Sequence, residues 1–295
     1  MPVFSKISIV TPSYNQAHLL EETILSILGQ RYPNLELLIM DGGSTDNSVD
    51  VIKKYENEIT YWISEKDNGQ AAAINSGFRK ATGDILMWIN SDDMLMPGAL
   101  SSVAEIVRDK GDKVFIGDCL HFRKQPGGPL DAWGSDVAND SKKLDLSTFD
   151  YVIQPSSFWT RSVWKITGPL NETLHYAFDW EWFLRCRSKG IAFEYVDKCL
   201  SMYRYHEGHK SSGGGEQRRA ELLNIYRRFN PGKADLYALL MQEADRKHSL
   251  IYRGIKKSLH FFKSNHSYAR LLKAVYPGKF ACYSIDDIEL LVRML

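Results

Sequence analysis

The chain has 295 residues, 44% hydrophobic and 25% charged, with a net charge of +1, an ordinary globular composition long enough for one large domain or a domain with an appendage. No run approaches the roughly 18 to 20 apolar residues of a membrane-spanning helix, and MPVFSKISIVTPSYN enters a strand pattern with no secretory leader, which predicts a cytoplasmic protein, soluble or peripheral at the inner face of a membrane. The small net charge conceals an asymmetry: residues 1–215 carry 22 basic and 28 acidic side chains and residues 216–295 carry 15 and 8, so the two parts are expected to have different partners.

Short β-rich runs alternate with helical patterns from the N-terminus. The runs are ISIVT (7–11), LELLIM (35–40), ITYWIS (59–64), DILMWIN (84–90) and KVFIGD (113–118). Between the first two, Leu20, Ile24, Ile27 and Leu28 share a helical face, and between the third and fourth Ala71, Ile74 and Phe78 do the same. The order β-α-β-α-β-α-β predicts an α/β fold with a mixed, mainly parallel sheet flanked by helices. The stretch 125–141 is rich in turn residues and reads as a loop or hairpin excursion. DWEWFLRCRSKG (179–190) reads as a helix closed by Lys189 and Gly190, IAFEYVD (191–197) as a strand, and HKSSGGGE (209–216) as a linker or lid. From Glu216 onward four amphipathic segments predict a C-terminal helical module. The expected organisation is therefore a domain over 1–215, in two parts near 1–120 and 121–215, followed by a basic helical module over 216–295. Cys119, Cys186, Cys199 and Cys282 are far apart, with no CxxC pair. They indicate neither a zinc site nor a disulfide framework and are expected as buried small apolar residues.

Ligands of an open parallel sheet gather at the carboxyl ends of its strands. Three strands end there in polar signatures: TPSYN (11–15), DGGSTDNS (41–48) and NSDD (90–93). Each alone is ordinary turn and cap chemistry, with Ser44, Thr45 or Asp46 able to cap a helix and Asp93 able to cap the one entered at Pro97. At equivalent ends of neighbouring strands they point to a common site.

In this order ISIVTPSYN, LIMDGGSTDNS and DNGQAAAINSGFRKATGDILMWINSDD resemble the family 2 glycosyltransferases of the GT-A fold, over roughly residues 6–210. Such enzymes use a divalent cation, Mn²⁺ or Mg²⁺, to transfer a sugar with inversion from a nucleotide-diphosphate donor, usually UDP-linked, to an acceptor hydroxyl. The resemblance implies a nucleotide pocket that includes Thr11, Pro12 and Tyr14, an Asp41 that contacts the base or ribose, and donor contacts from Asn68, Gln70 and Asn75. The family's second acid falls on Gly42. NSDD matches the family's DXD motif: Asp92 would hold the metal, while Asn90, where relatives carry an acid, would reach a ribose hydroxyl, with Ser91 and Asp93 beside the donor. His206 matches a histidine that some relatives add as a metal ligand; a histidine in a loop is otherwise simply exposed.

Inversion needs a base to take the acceptor proton. LHYAFDWEWFLR resembles the motif that supplies it, placing the base on Asp179 and an acceptor contact on Glu181. Plain helix capping is the structural alternative for Asp179. Trp159, Trp180 and Trp182 suit the stacking faces of pyranose rings, or core packing. The QxxRW motif of processive synthases is missing at 217–221, so addition of one sugar, to a saccharide or lipid-linked saccharide, is expected. The basic, aromatic stretch 248–273 suits an anionic membrane surface, packing on the catalytic domain or an oligomer contact; no nucleic-acid module accompanies it. Two further readings stay open. A nucleotide-sugar-binding protein without activity would account for Asn90 and Gly42, and a nucleotidyltransferase would need a basic glycine-rich phosphate loop that TPSYNQAH lacks.

Overall fold

The first strand, β1 (Ile7–Ser13), is buried along its whole length, as a strand with neighbours on both sides and helices over both faces must be. It belongs to a computed structural model in which residues 4–108, 110–124, 128–206, 210, 214–245 and 265–295 are described. The chain forms two units, one of residues 1–143 and 151–211, the other of residues 144–150 and 212–295.

In the first unit β1 is followed by α1 (Ala17–Leu28), β2 (Leu35–Asp41), α2 (Ser48–Lys54), β3 (Tyr61–Ser64), α3 (Gln70–Lys80), β4 (Ile85–Trp88), β5 (Met94–Leu95) and α4 (Ala99–Val107). After these come β6 (Lys113–Lys124), β7 (Leu130–Gly134), α5 (Val137–Lys143), β8 (Ser157–Thr160), α6 (Arg161–Thr167), α7 (Phe178–Ser188) and β9 (Ala192–Tyr205). Among the described residues these strands form one sheet of nine, in the order β3-β2-β1-β4-β8-β6-β9-β5, with β7 paired to β6. Pairing is parallel within β3-β2-β1-β4 and between β6 and β9, and antiparallel at β4-β8, β8-β6, β9-β5 and β6-β7. This is the expected α/β, mixed and largely parallel sheet flanked by helices.

The predicted helix faces are the buried ones. Leu20, Ile24 and Ile27 of α1 and Ile74 of α3 are fully buried, Ala71 and Phe78 nearly so. α3 lies so close on β1 that a Cβ at Gly77 would stand 2.4 Å from Val10 Cγ1; a glycine here is a packing requirement. The strand read at 191–197 runs on to Tyr205, because β9 follows β6 through a register shift near Asp118 until Tyr205 faces Arg123. That extension brings the residues after Val196 back to the end of β4. Only Cys119 and Cys186 are buried; Cys199 and Cys282 are exposed, against expectation.

The second unit is helical in its described residues: α8 (Gly215–Phe229), α9 (Pro231–Asp245), and helices Asn265–Val275, Pro277–Phe280 and Ile285–Val292. Tyr226 and Tyr237, both fully buried, pack at 4.9 Å between ring centroids, and Tyr226 donates to the Thr148 carbonyl at 2.8 Å. Asn230 donates to Ser147 Oγ and Thr148 Oγ1, each at 3.0 Å. These bonds tie the stretch 144–150 to the helices. Residues 248–264 of the basic stretch, and 209 and 211–213 of the glycine-rich one, lie outside the described residues.

One buried carboxylate joins the start of β1, β2 and the α3–β4 turn. Glu36 accepts from Thr82 N and Thr82 Oγ1, each at 2.6 Å, and from Ser8 Oγ at 2.5 Å, and it pairs with Lys6 at 2.8 Å. Burial alone would raise its pKa; the Lys6, Ser8 and Thr82 donors outweigh that and bring it from 4.5 to about 2. A carboxylate depressed in the folded state contributes stability that is complete above its unfolded pKa and is lost as pH falls through the folded one. Urea midpoints of the wild type and Glu36→Gln should therefore differ by a constant ~2 kcal/mol above pH 5, with the gap closing between about pH 4.5 and pH 2. A gap that does not change over this range would show that the charge is not what stabilises the junction.

Candidate active site

The carboxyl ends of β1, β2 and β4, the N-terminus of α3 and the start of α7 surround one cavity of about 540 Å³, within the range of small-molecule sites. Pro12, Ser13 and Tyr14 line it from β1, Gly42 from β2, Asn90, Ser91, Asp92 and Asp93 from β4, and Phe178 and Asp179 from α7. Tyr14 is 61% exposed, a ring free to cover a flat ligand group. Gly69, at φ +104° immediately before α3, adopts a conformation that L side chains rarely take and lets the chain turn into the helix beside the cavity.

The DGGSTDNS loop is held by its own side chains. Asp41 accepts from Ser44 N at 2.9 Å, Ser44 Oγ at 2.5 Å and Ser64 Oγ at 2.6 Å. Asn15, at φ +52°, accepts at Oδ1 from Thr45 N at 2.8 Å, while Asp46 accepts from Ala17 N at 3.0 Å at the head of α1. Asp41 is 2% exposed; the neighbour that lines the cavity is Gly42. A Cβ at Gly42 would stand 2.9 Å from Asp67 Oδ2, so the place of a second acid after Asp41 is filled by Asp67, from the loop after β3.

The two aspartates of NSDD have separate environments. Asp92 Oδ2 lies 3.0 Å from His206 Nε2. Asp93 is 1% exposed and accepts from Arg204 N at 3.2 Å; Thr23 Oγ1 donates to its carbonyl at 2.7 Å and Arg204 Nε to the Asp92 carbonyl at 3.1 Å. Burial first, then the neighbouring Asp92 carboxylate, push Asp93 well above the usual carboxylate range, against donors from Arg204 and the Asn90 side chain. The capping alternative for Asp93 is not realised, since Gly98 stands at the head of α4. Asn90 Oδ1 accepts from Gln70 Nε2 at 2.7 Å, and the Asn90 side chain is among the groups that hold the Asp93 pKa down; Asp93 Oδ2 is buried without a hydrogen-bond partner. Gln70 in turn accepts from Lys210 Nζ at 2.9 Å.

Several expected contacts stand elsewhere. Asn75 is buried and clamps Leu170, donating to its carbonyl at 3.0 Å and accepting from its N–H at 2.8 Å. Thr11 is fully buried beneath the cavity, and Asn68 is exposed and does not line it. Trp159, Trp180 and Trp182 are at most 1% exposed. Trp159 packs against Trp182 at 4.7 Å and Trp88 at 5.3 Å between centroids, so this is core packing rather than a sugar-stacking surface. Glu181 is buried and accepts from Arg185 Nε at 2.9 Å, with Arg185 also donating to the Thr167 and Pro169 carbonyls; it is a structural ion pair, not an acceptor contact. Asp179 remains on the cavity wall, its Oδ1 accepting from Trp180 N at 2.8 Å.

Residues that sequence reading passed over also line the cavity: Gln16, Asp67, Gln154, His175, Tyr176, Tyr203 and Lys210. Ser13 Oγ and Gln154 Oε1 are buried without a hydrogen-bond partner. Such groups cost about 1–3 kcal/mol each if left unmade, and a ligand can satisfy both. The turn 154–156, held to β4 by a bond from Gln154 Nε2 to the Trp88 carbonyl at 2.8 Å, brings Gln154 here.

The family model described as Glycosyl transferase family 2 matches residues 8–153, the span that supplies the strand-end motifs and most of the cavity. The chain belongs to the family 2 glycosyltransferases. The GalNAc(5)-diNAcBac-PP-undecaprenol beta-1,3-glucosyltransferase of Campylobacter jejuni is 26% identical over 95% of this chain and 89% of its own length. Other curated bacterial glycosyltransferases are 28–36% identical, and the chain spans 61% or less of their length. Two solved structures share the GT-A fold at low identity. The mannosyltransferase PcManGT of Pyrobaculum calidifontis, in complex with GDP-Man and Mn²⁺, superposes with a TM-score of 0.59 at 14% identity, over 99% of this chain and 87% of its own. S. aureus TarS 1-349, in complex with UDP-GlcNAc, superposes at 0.57 and 18%, over 79% and 66%.

In this member, a neutral amide at the leading position stands beside a buried acid whose pKa it lowers. Asn90→Asp would put a third carboxylate beside Asp92 and Asp93, and should lower the unfolding free energy at pH 7 by about 1–3 kcal/mol. An unchanged urea midpoint would show that charge at position 90 does not matter to this loop.

Proposed function

We propose that this protein is a metal-dependent, inverting glycosyltransferase that adds a single hexosyl or N-acetylhexosaminyl unit from a UDP-sugar to a saccharide or lipid-linked saccharide, in surface polysaccharide or glycan biosynthesis. One observation carries the reading: Asp92, whose carboxylate meets His206 at 3.0 Å, and Asp179, far from it in sequence, stand on the walls of the cavity that Pro12 and Tyr14 also line. The Campylobacter relative, named for glucosyl transfer to an undecaprenol-PP-linked glycan and matched over nearly the whole chain, supports a lipid-linked acceptor. The structures with UDP-GlcNAc and with GDP-Man support a nucleotide-sugar donor on this fold. Among the described residues no helix is long and apolar enough to cross a membrane, and we place the protein at the inner, anionic face, with the basic C-terminal part as the contact.

Asp92 and His206 fit a divalent cation. A carboxylate oxygen and an imidazole nitrogen 3.0 Å apart can converge on one ion. Among the described residues no group of three or more His, Cys, Asp or Glu side chains is placed to hold a metal, so the donor's diphosphate and water would complete the shell. Bound there, Mn²⁺ or Mg²⁺ would neutralise charge on the leaving diphosphate.

The chain's own groups carry the rest. Pro12 and Tyr14 cover the base, Ser13 Oγ and Gln154 Oε1 gain ligand partners, and Asp179 takes the proton from the acceptor hydroxyl as its oxygen attacks the anomeric carbon. The bond from that carbon to the diphosphate oxygen breaks, and UDP leaves with the bonding pair. No covalent enzyme intermediate is formed.

Asp179→Asn and Asp92→Asn should each lower transfer by at least ~10³-fold while melting within a few degrees of the wild type. Asp179→Asn should still bind UDP with Mn²⁺, whereas Asp92→Asn and, less severely, His206→Ala should lose the metal-dependent part of that binding, by about 10–100-fold for the histidine. Calorimetry and a UDP-release assay read both. Near wild-type turnover in Asp179→Asn would remove it as the base.

A further inference from the structure

The aromatic side chains first expected to stack on sugar are buried, yet a second aromatic group lies in the open. β7 puts most of its side chains outward, with Trp133 42% exposed, and Tyr205 at the end of β9 is 36% exposed. A single exposed ring on a surface means little, but these are not single. His121 stacks on Trp133 at 5.7 Å and 12° between planes, Trp133 meets Tyr205 at 5.3 Å, and Tyr205 meets Tyr203 at 5.1 Å between centroids. Tyr203 is itself a wall of the donor cavity. The series therefore begins in that cavity and ends on the open surface.

Strand register explains why these rings share a face. His121 of β6 pairs with Trp133 of β7 and with Tyr203 of β9; two residues on, Arg123 pairs with Asp131 and with Tyr205. Directly opposed residues lie on one side of a sheet, as do residues two apart. The result is two rows across three strands, one of three rings and one that sets an Arg123–Asp131 ion pair of 3.2 Å beside Tyr205. Burial lowers the pKa of His121 and so disfavours charge on the ring that stacks with Trp133. A flat apolar face flanked by a paired donor and acceptor is what a pyranose needs, since it presents axial C–H groups to a ring and equatorial hydroxyls to the side.

We infer that Trp133 and Tyr205, flanked by Arg123 and Asp131, form a saccharide-binding ledge that holds acceptor sugar units next to the unit being glycosylated. The inference rests on the glycosyl-transfer reading and deepens it: an acceptor of several sugar units would lie along the ledge and place its terminal hydroxyl past Tyr203. Trp133 and Tyr205 are then binding residues and not catalytic ones.

The test uses the labelled full-length chain, without nucleotide sugar, on an array of bacterial surface glycans, with Trp133→Ala, Trp133→Phe and Tyr205→Ala. Circular dichroism melting and UDP–Mn²⁺ calorimetry on each variant report folding and the donor site. The wild type should bind a subset of glycans. Trp133→Ala should lose about tenfold in apparent affinity, equivalent to 1.4 kcal/mol, with Tyr205→Ala losing less and Trp133→Phe retaining most of it. Equal capture by Trp133→Ala, or no glycan captured by the wild type, would overturn the ledge. So would a Trp133→Ala variant that keeps glycan capture but loses flotation with anionic vesicles, which would make the face a membrane contact. If the wild type neither binds UDP nor releases it from any donor while capture still depends on Trp133, the transferase reading fails and the saccharide surface stands.

Discussion

The site depends on one constraint, a carboxyl group buried where β4 leaves the sheet. Asp93 is 1% exposed, and a buried polar group costs about 1–3 kcal/mol wherever it lacks a partner; its Oδ2 has none, so the bonds it does make matter. The chain supplies Arg204 N–H to its Oδ1 and Thr23 Oγ1 to its carbonyl. Those partners come from β9 and α1. Once Arg204 is held there, the short β5–β9 ladder, with Met94 against Met202, follows, and two residues later His206 arrives at Asp92. The metal-binding pair of the proposal is thus a by-product of anchoring its neighbour.

The two departures from the family pattern become intelligible in the same terms. At position 90 an aspartate would put a third acid beside Asp92 and Asp93, and asparagine offers a donor instead. At position 42 a side chain would collide with Asp67, whose carboxylate already occupies the space. At position 42 the negative charge missing from the motif is supplied in space by Asp67, which the motif does not contain.

Aromatic residues are divided between two jobs. Trp88, Trp159, Trp164 and Trp182 pack edge to face and tilted with Phe78 and stabilise the layer behind the cavity. Trp133, Tyr203 and Tyr205 lie on strands that pair at the other end of the sheet, where no helix covers the rings completely. A tryptophan in a helix such as α7 is buried because that helix is apolar on more than one side; the same residue on an outlying strand has only one neighbour to hide behind.

Much of the fold was legible from residue order alone. Alternation and 3.6-residue periodicity are local, so the strands from β1 to β4, the buried faces of α1 and α3 and the strand-end positions of TPSYN, DGGSTD and NSDD could be read directly. Tyr14, Asn90, Asp92 and Asp179 accordingly stand on the cavity wall. What the linear pattern could not contain was burial and long-range partnership. Whether Trp159 or Trp133 meets solvent, whether Glu181 faces a ligand or Arg185, and whether Asn75 serves a donor or Leu170 depend on elements packed from elsewhere in the chain. Asp67 reaches Gly42 and Gln154 reaches Trp88 only because the sheet places their loops there. The sequence by itself determined the layers and the end of the sheet at which a ligand would bind, because hydrophobic period and turn chemistry are properties of neighbouring residues. Tertiary structure alone decided which polar and aromatic side chains reach the cavity there, because desolvation and hydrogen-bond completion are settled between residues as far apart as Asp92 and His206.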